Sequence, residues 1–236
     1  MQLLCLWLEF DPLKFSFDIQ KWKDEQASLR AQVRVEPLID LPRFIVGADC
    51  AFSKSSGRVF ASAVIFDRID SKIIESVQAC LACDVPYIPG YLSFREAPAL
   101  LRAIRKLKHP FGAILFDGQG YAHPRRCGLA VHVGVLLDVP SVGVAKSILV
   151  GRGDEPHFKA GSYSDLIHQD EVVGEIVRTR VNVKPVYVSA GHRIDLESAR
   201  KLTLACVTKY RLPEPTRIAD REAARVKMEL INSTFE

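Results

Sequence analysis

The chain has 236 residues, of which 48% are hydrophobic, with 32 Lys and Arg against 28 Asp and Glu for a formal net charge of +4. That length fits one large domain or two small ones, with ample apolar content for a core. No apolar run approaches the length of a membrane span. The slight basic excess permits a nucleic-acid partner without requiring one, so charge alone selects no function.

The start, Met1-Gln-Leu-Leu-Cys-Leu-Trp-Leu8, is apolar but lacks a basic leader and meets Glu9 and Asp11 at once. It reads as a poorly determined N-terminus or a packed arm rather than a secretion signal, and the protein as intracellular and cytoplasmic. Residues 12–40 read as a helix and linker. Lys21 to Arg30 form a charged helical face, and Pro37 and Pro42 bracket the exit. Residues 1–40 are therefore expected to be an N-terminal arm on a single domain spanning 41–236.

Three strand-like runs follow, Phe44 to Phe52, Val59 to Phe66 and Lys72 to Ala79. Their connections are too short for parallel crossovers, so they are expected to form an antiparallel meander. Pro86-Tyr-Ile-Pro-Gly90 then predicts a stiff, projecting turn that carries apolar side chains. A helix comes next, with Ala97, Leu100, Leu101, Ile104 and Leu107 on one face. Ser93-Phe-Arg-Glu96 has the form of a capping box. That box would put Pro98 at the fifth helical position, whereas a start nearer Pro98 frees Glu96 for other work.

Ala113 to Phe116 is a short run of the kind buried on both faces of a sheet, and it breaks at Asp117-Gly-Gln-Gly-Tyr-Ala-His-Pro-Arg-Arg126. A carboxylate at such a strand end faces the crevice where ligands bind, and the two arginines suit a phosphate. Arg126 to Leu137 reads as a helix and Ser141 to Ala145 as a buried strand ending at Lys146. Residues 150–170 read as a loop or insertion, followed by a hairpin of Glu171 to Val177 with Val181 to Val188. Asp195 is expected to cap a helix running to about Tyr210. Pro213 opens a last helix with an apolar stripe of Ala219, Ala223, Val226 and Leu230.

Of six cysteines, only Cys80-Leu-Ala-Cys83 has a spacing of interest, and without a second pair it reads as core thiols rather than a zinc site. His192 reads equally as a turn residue or a functional one. The glycines after Asp117 lack the third member of a dinucleotide fingerprint, and Gly143-Val-Ala-Lys-Ser147 lacks the cradle of a P-loop.

A three-stranded meander followed by helix–strand–helix–strand is the order of a ribonuclease H-like α/β fold: a mixed sheet, antiparallel then parallel, with helices on both faces. In that fold the first and fourth strands are neighbours. Asp49, near the end of the first, and Asp117, at the end of the fourth, then converge, and Glu96 enters from the intervening helix. Converging carboxylates are stable together mainly when a cation neutralises them, and an all-oxygen donor set selects magnesium or manganese over zinc. Lys146, ending the next strand, is placed to orient a water or to stabilise charge on a phosphate.

Five blocks together carry a resemblance: Pro86-Tyr-Ile-Pro-Gly-Tyr-Leu-Ser-Phe-Arg-Glu96, Asp117 to Arg126, Gly143-Val-Ala-Lys-Ser147, Tyr187-Val-Ser-Ala-Gly-His-Arg193 and Leu212-Pro-Glu-Pro-Thr-Arg-Ile-Ala-Asp220. They run in order from about Phe44 to Asp220 and resemble the endonuclease V family. The resemblance implies a Mg2+-dependent nuclease, with Mn2+ as a substitute. Such an enzyme nicks DNA, or RNA, one nucleotide beyond an inosine on its 3′ side and leaves a 5′-phosphate. Carried over residue by residue, it implies metal ligation by Asp49, Glu96, Asp117 and Asp220, with Lys146 contacting phosphate and water. It also implies a wedge of Pro86, Tyr87, Ile88 and Pro89, and a base pocket of Gly90, Leu92, Gly118 and His123. Val131 stands where the family has a small polar residue. A monomer acting in DNA repair is expected. Two competing readings are a structure-selective nuclease of the same fold and a catalytically idle inosine-binding module. The intact carboxylates argue against the second.

Overall fold

A computed structural model describes residues 18–232. The apolar start and Cys5 lie outside the described residues. One eight-stranded sheet organises the chain, its strands in spatial order Lys72–Ala82 (β3), Arg58–Asp67 (β2), Phe44–Ser53 (β1), Ala113–Phe116 (β4), Ser141–Ala145 (β5), Val186–Ala190 (β8), Glu171–Val177 (β7) and Tyr163–His168 (β6).

Strands β1 (Phe44–Ser53), β2 (Arg58–Asp67) and β3 (Lys72–Ala82) form the expected antiparallel meander. β4 (Ala113–Phe116) pairs in parallel with β1, placing Ala48 opposite Phe116, and β5 (Ser141–Ala145) pairs in parallel with β4. All four β4 side chains are fully buried, as a strand covered on both faces requires.

Past β5 the sheet departs from expectation. Residues 163–168 are a strand, β6 (Tyr163–His168), in a hairpin with β7 (Glu171–Val177). The turn residues Gln169 and Asp170 have φ of 56° and 60°, the left-handed pair that a two-residue hairpin needs. β8 (Val186–Ala190) pairs antiparallel with β7, as expected for the later hairpin, but also with β5, and residues 181–185 are irregular.

Helices cover both faces. α2 (Leu92–Ile104) and α3 (Leu129–Leu137) pack on one, over Val46, Ala48, Ile114 and Phe116. α4 (Leu196–Ala205) packs on the other, over Leu115, Val142 and Val188. Asp195 caps α4 as expected, accepting from Ser198 N at 2.8 Å, but the helix ends five residues before Tyr210. In α5 (Glu214–Asn232), Ala219 and Ala223 of the expected stripe are buried, while Leu230 is exposed. Gly47 is what lets α5 approach β1, because a Cβ there would lie 2.0 Å from the Pro215 backbone.

α1 (Ile19–Ala31) is capped by Asp18 and is more than a charged face. Trp22, Gln26 and Leu29, spaced one turn apart, are buried. Leu29 packs with Cys127 and Val131, which is how the departing Val131 is accommodated. Among the described residues no helix is long and apolar enough to cross a membrane.

Candidate active site

Side-chain alternation explains which carboxylates meet. On β1, Val46 and Ala48 face α2 and α3, so Asp49 faces the other side, where Gly47 admits the start of α5. Asp117 follows Leu115 onto that same side. Asp220 arrives from the second turn of α5. The result is a cluster in which carboxylate oxygens of Asp49, Asp117 and Asp220 all lie within 4.8 Å of one another. Lys146 Nζ forms an ion pair with Asp117 and lies 3.4 Å from Asp220 Oδ2. Cys50 N donates to Asp49 Oδ1 at 2.8 Å.

Glu96 lies outside that group of three, because α2 carries it on the opposite face of the sheet. Neither expected helix start is correct. α2 begins at Leu92 behind Tyr91, without a side-chain cap, so Glu96 sits in its second turn and Pro98 inside the helix. Pro98 has no N–H to give the carbonyl one turn back, so one bond of the ladder is missing there. Glu96 nonetheless shares the field of the cluster and contributes to raising Asp49.

The electrostatics are those of like charges held together. Burial, then Asp117, pushes the Asp49 carboxyl well above its ordinary range, and the Cys50 N–H opposes this only in part. Burial raises Glu96 to about 7 against the pull of Arg95. Burial also raises Asp117 despite its bond to Lys146. Burial acts to lower Lys146, but Asp117 and Asp220 outweigh it and the ammonium is held charged. Three clustered carboxylates, all oxygen donors, fit a hard divalent cation.

Beside the cluster lies a cleft enclosing about 470 Å³, part of it open to solvent. Its lining includes Tyr87, Gly90, Leu92, Gly118 and His123, together with Glu96 and Asp117. The expected pocket residues therefore share one cavity with two of the carboxylates. His123 is buried and kept neutral at about pKa 4 by burial, reinforced by Arg125. Its Nδ1 accepts from Arg125 N and Cys127 N, so Nε2 carries the proton and donates to Gly90 O at 3.1 Å. Tyr87 is 65% exposed and Pro86 and Pro89 are exposed, while Ile88 packs inward against the Trp22 cluster. Tyr87 is thus at the lip of the cleft and not in the core.

The two arginines after His123 do not face a phosphate. Arg126 is buried with φ of 57°, which delays the start of α3 to Leu129; it bonds Glu171 at 2.7 Å and the carbonyls of His123 and His168. Arg125 is spent on Gln26 and Gly90. A cation near the cluster that sequence reasoning missed is Arg211, which donates to Lys146 O at 3.1 Å and favours ionised Asp117. Leu149, also missed, lines the cleft from the loop after Lys146. Only its nearness in sequence to Lys146 signalled it. His192 is structural, its Nδ1 accepting from Arg34 N and its Nε2 bonded to Asp138. Cys80 and Cys83 are half-buried rather than core thiols; Cys83 Sγ lies 3.8 Å from Arg95 O.

The family model described as Endonuclease V matches residues 27–221. The endonuclease V of Rippkaea orientalis is 44% identical over 214 residues, covering 91% of this chain and 93% of its own. The crystal structure of endonuclease V from Streptomyces avermitilis superposes with a TM-score of 0.87 at 39% identity, covering 90% of this chain and 94% of that one. Endonuclease V of Ciona intestinalis, in complex with a 24-mer DNA containing an inosine followed by a ribo-adenosine, superposes with a TM-score of 0.79 at 27% identity, covering 90% and 98%. The sheet order, the cluster of carboxylates and this extent of similarity place the chain in the endonuclease V family of ribonuclease H-like nucleases, which are hydrolases.

Proposed function

We propose that this chain is a magnesium-dependent endonuclease. It recognises inosine in nucleic acid and hydrolyses the phosphodiester one nucleotide beyond it on the 3′ side, leaving a 5′-phosphate. The observation that carries this reading is the shared wall of the cleft: Glu96 and Asp117 line the same cavity as Gly90, Leu92, Gly118 and His123. A base held there brings its own strand to the carboxylates. The Ciona relative bound to inosine-containing DNA supports the choice of base.

Each residue has a separable role. Asp49, Asp117 and Asp220, with Glu96 beside them, would hold Mg2+, or Mn2+ in its place. When bound, that ion supplies charge neutralisation for the phosphate and acidifies a water. Lys146, held charged by two carboxylates, stabilises negative charge on the phosphate and orients the attacking water. Arg211 fixes the Lys146 backbone. His123, neutral with a known tautomer, presents its apolar ring face to the cleft without adding charge. Tyr87, projecting between two prolines, fills the space a displaced base vacates.

Residues 41–236 form the nuclease unit, with α1 as an arm docked on it. The protein is read as a cytoplasmic monomer serving DNA repair. The ribo-adenosine in the Ciona complex favours a second reading, that ribonucleotides beside inosine are also accepted. End-labelled DNA and RNA strands carrying one inosine test both. The expected DNA product ends one nucleotide past inosine, only with Mg2+ or Mn2+. Cutting at the same rate without inosine would overturn the proposal.

A further inference from the structure

Gln26 is fully buried on a helix whose sequence reads as a charged surface. A buried amide persists where its polar atoms are satisfied. Gln26 Nε2 donates to the carbonyls of Gly90 at 3.1 Å and Cys127 at 3.3 Å, and Oε1 accepts from Arg125 Nε at 2.5 Å. Arg125 Nη2 also donates to Gly90 O at 2.5 Å, and its guanidinium lies 4.0 Å from the centre of the Tyr91 ring. With His123 Nε2, three side chains converge on one carbonyl.

That carbonyl sits at a sensitive point. Tyr91 N donates to Ile88 O at 2.9 Å, and Gly90 has φ of +80°, so Pro89 and Gly90 occupy the centre of a type II turn. A Cβ on Gly90 would come within 2.9 Å of Arg125 Nη2, so the lock also closes around the missing side chain. Tyr87 and Leu92 flank the turn, and both line the cleft. The tip is exposed, so its aim is set at its base. Trp22, one turn before Gln26, stacks on Phe94 at 4.9 Å and lies 5.7 Å from Tyr91, so the same helix braces the turn and the start of α2.

We propose that Gln26 is a positioning residue for base recognition: through Arg125 and the Gly90 carbonyl, α1 sets the tilt of the 86–91 turn over the cleft. Gln26 lies one residue before the stretch that the family model matches. Its hydrogen bonds go to residues 90, 125 and 127 and to none of the carboxylates. The inference rests on the inosine-directed reading of the cleft.

The test measures binding and single-turnover cleavage by the full chain on a duplex with one inosine and on the same duplex without it. Gln26→Met keeps the length and removes the hydrogen bonds. It is expected to weaken inosine-duplex binding about tenfold, equivalent to roughly 1.4 kcal/mol. Plain-duplex affinity stays as in wild type, and the saturating rate stays within about twofold. Gln26→Glu, which keeps the acceptor for Arg125, recovers part of the loss. Arg125→Met gives a loss of the same size, and the double variant is no weaker than either single one, as for two residues acting through one carbonyl. Arg125→Met also carries the test should Gln26→Met not fold. Undiminished preference for inosine, equal weakening on both duplexes, or additive losses would each overturn the proposal. Equal binding of both duplexes by wild type would defeat the inosine reading itself, and this inference with it.

Discussion

Two charged regions lie on either side of the Asp117–Arg126 stretch, and they are built on opposite principles. At its start, Asp117 joins Asp49 and Asp220 in a cluster where burial and the neighbouring carboxylates raise Asp49 and Asp117, with Lys146 and Arg211 to answer them. At its end, Arg126 is more deeply buried and fully answered. It bonds Glu171, the carbonyls of His123 and His168, and the His168 ring, while Glu171 also accepts from Tyr121. A satisfied network rigidifies. An unsatisfied one is tolerated where a ligand completes it. The contrast separates scaffold from site within ten residues of chain.

The largest effect is expected from neutralising one member on the unsatisfied side. Asp117→Asn or Asp49→Asn should abolish cleavage of inosine-containing strands in Mg2+ while leaving inosine-dependent binding largely intact. Melting in metal-free buffer should be unchanged or raised, because repulsion is relieved. A large drop in melting temperature would mean that these carboxylates hold the fold together.

At the lip of the cleft, Tyr87→Ala should melt as wild type does, since the ring is 65% exposed. Binding to inosine in a duplex should weaken by roughly ten- to a hundredfold, the scale of one stacking contact of about 1–3 kcal/mol. Single-stranded inosine should be affected less, because no duplex must be opened. Equal losses on both would show that Tyr87 contacts the base or backbone directly.

The satisfied side should respond in stability alone. Glu171→Leu removes the carboxylate from Arg126 and Tyr121 and should cost roughly 1.5–3 kcal/mol, read by denaturant unfolding. The folded variant should cleave inosine-containing strands at saturating substrate as fast as wild type. Lost activity with unchanged stability would reverse the assignment of the two regions.

Buried histidines and buried carboxyls also differ in pH response. Burial holds His123 and His132 at about 4 against an ordinary 6.5, so the unfolded chain binds more protons between those values. Their contribution is complete above pH 6.5 and lost as pH falls toward 4. Glu96, raised from 4.5 to about 7, runs the other way: its contribution is complete below pH 4.5 and lost as pH rises through 7, and Asp49 and Asp117 share that sign. In metal-free buffer, the melting temperature of Glu96→Gln relative to wild type should climb from pH 4.5 to 7. A constant difference would contradict the raised carboxyl.

Much of the scaffold was legible because it rests on local pattern. Short polar loops dictate the meander, and the run from Ala113 to Phe116 dictates a strand buried on both sides. The convergence of Asp49 and Asp117 followed from the strand order. What stayed hidden depends on contacts distant in sequence. Gln169-Asp170 lacks the Asn-Gly signature of a two-residue turn, so β6 read as loop. Gln26 is buried by hydrogen bonds rather than by hydrophobicity, so α1 read as a surface helix. Arg125 and Arg126 carry the composition of a phosphate site, and only their folded partners show them to be spent. The relation of Glu96 to Asp220 depends on which face of the sheet each helix covers, and spacing along the chain does not record that.

If Asp49, Asp117 and Asp220 together hold a divalent cation, metal binding must depend on each of them and displace protons. Calorimetric titration with Mg2+ or Mn2+ near pH 6, in two buffers of different ionisation enthalpy, tests it most directly. Wild type should bind with release of protons, because Asp49 and Asp117, raised by burial and by neighbouring carboxylates, must ionise to accept the ion. Asp49→Asn should lose both the binding and the proton release. Binding of equal strength in wild type and Asp49→Asn, or binding without proton release, would contradict the account.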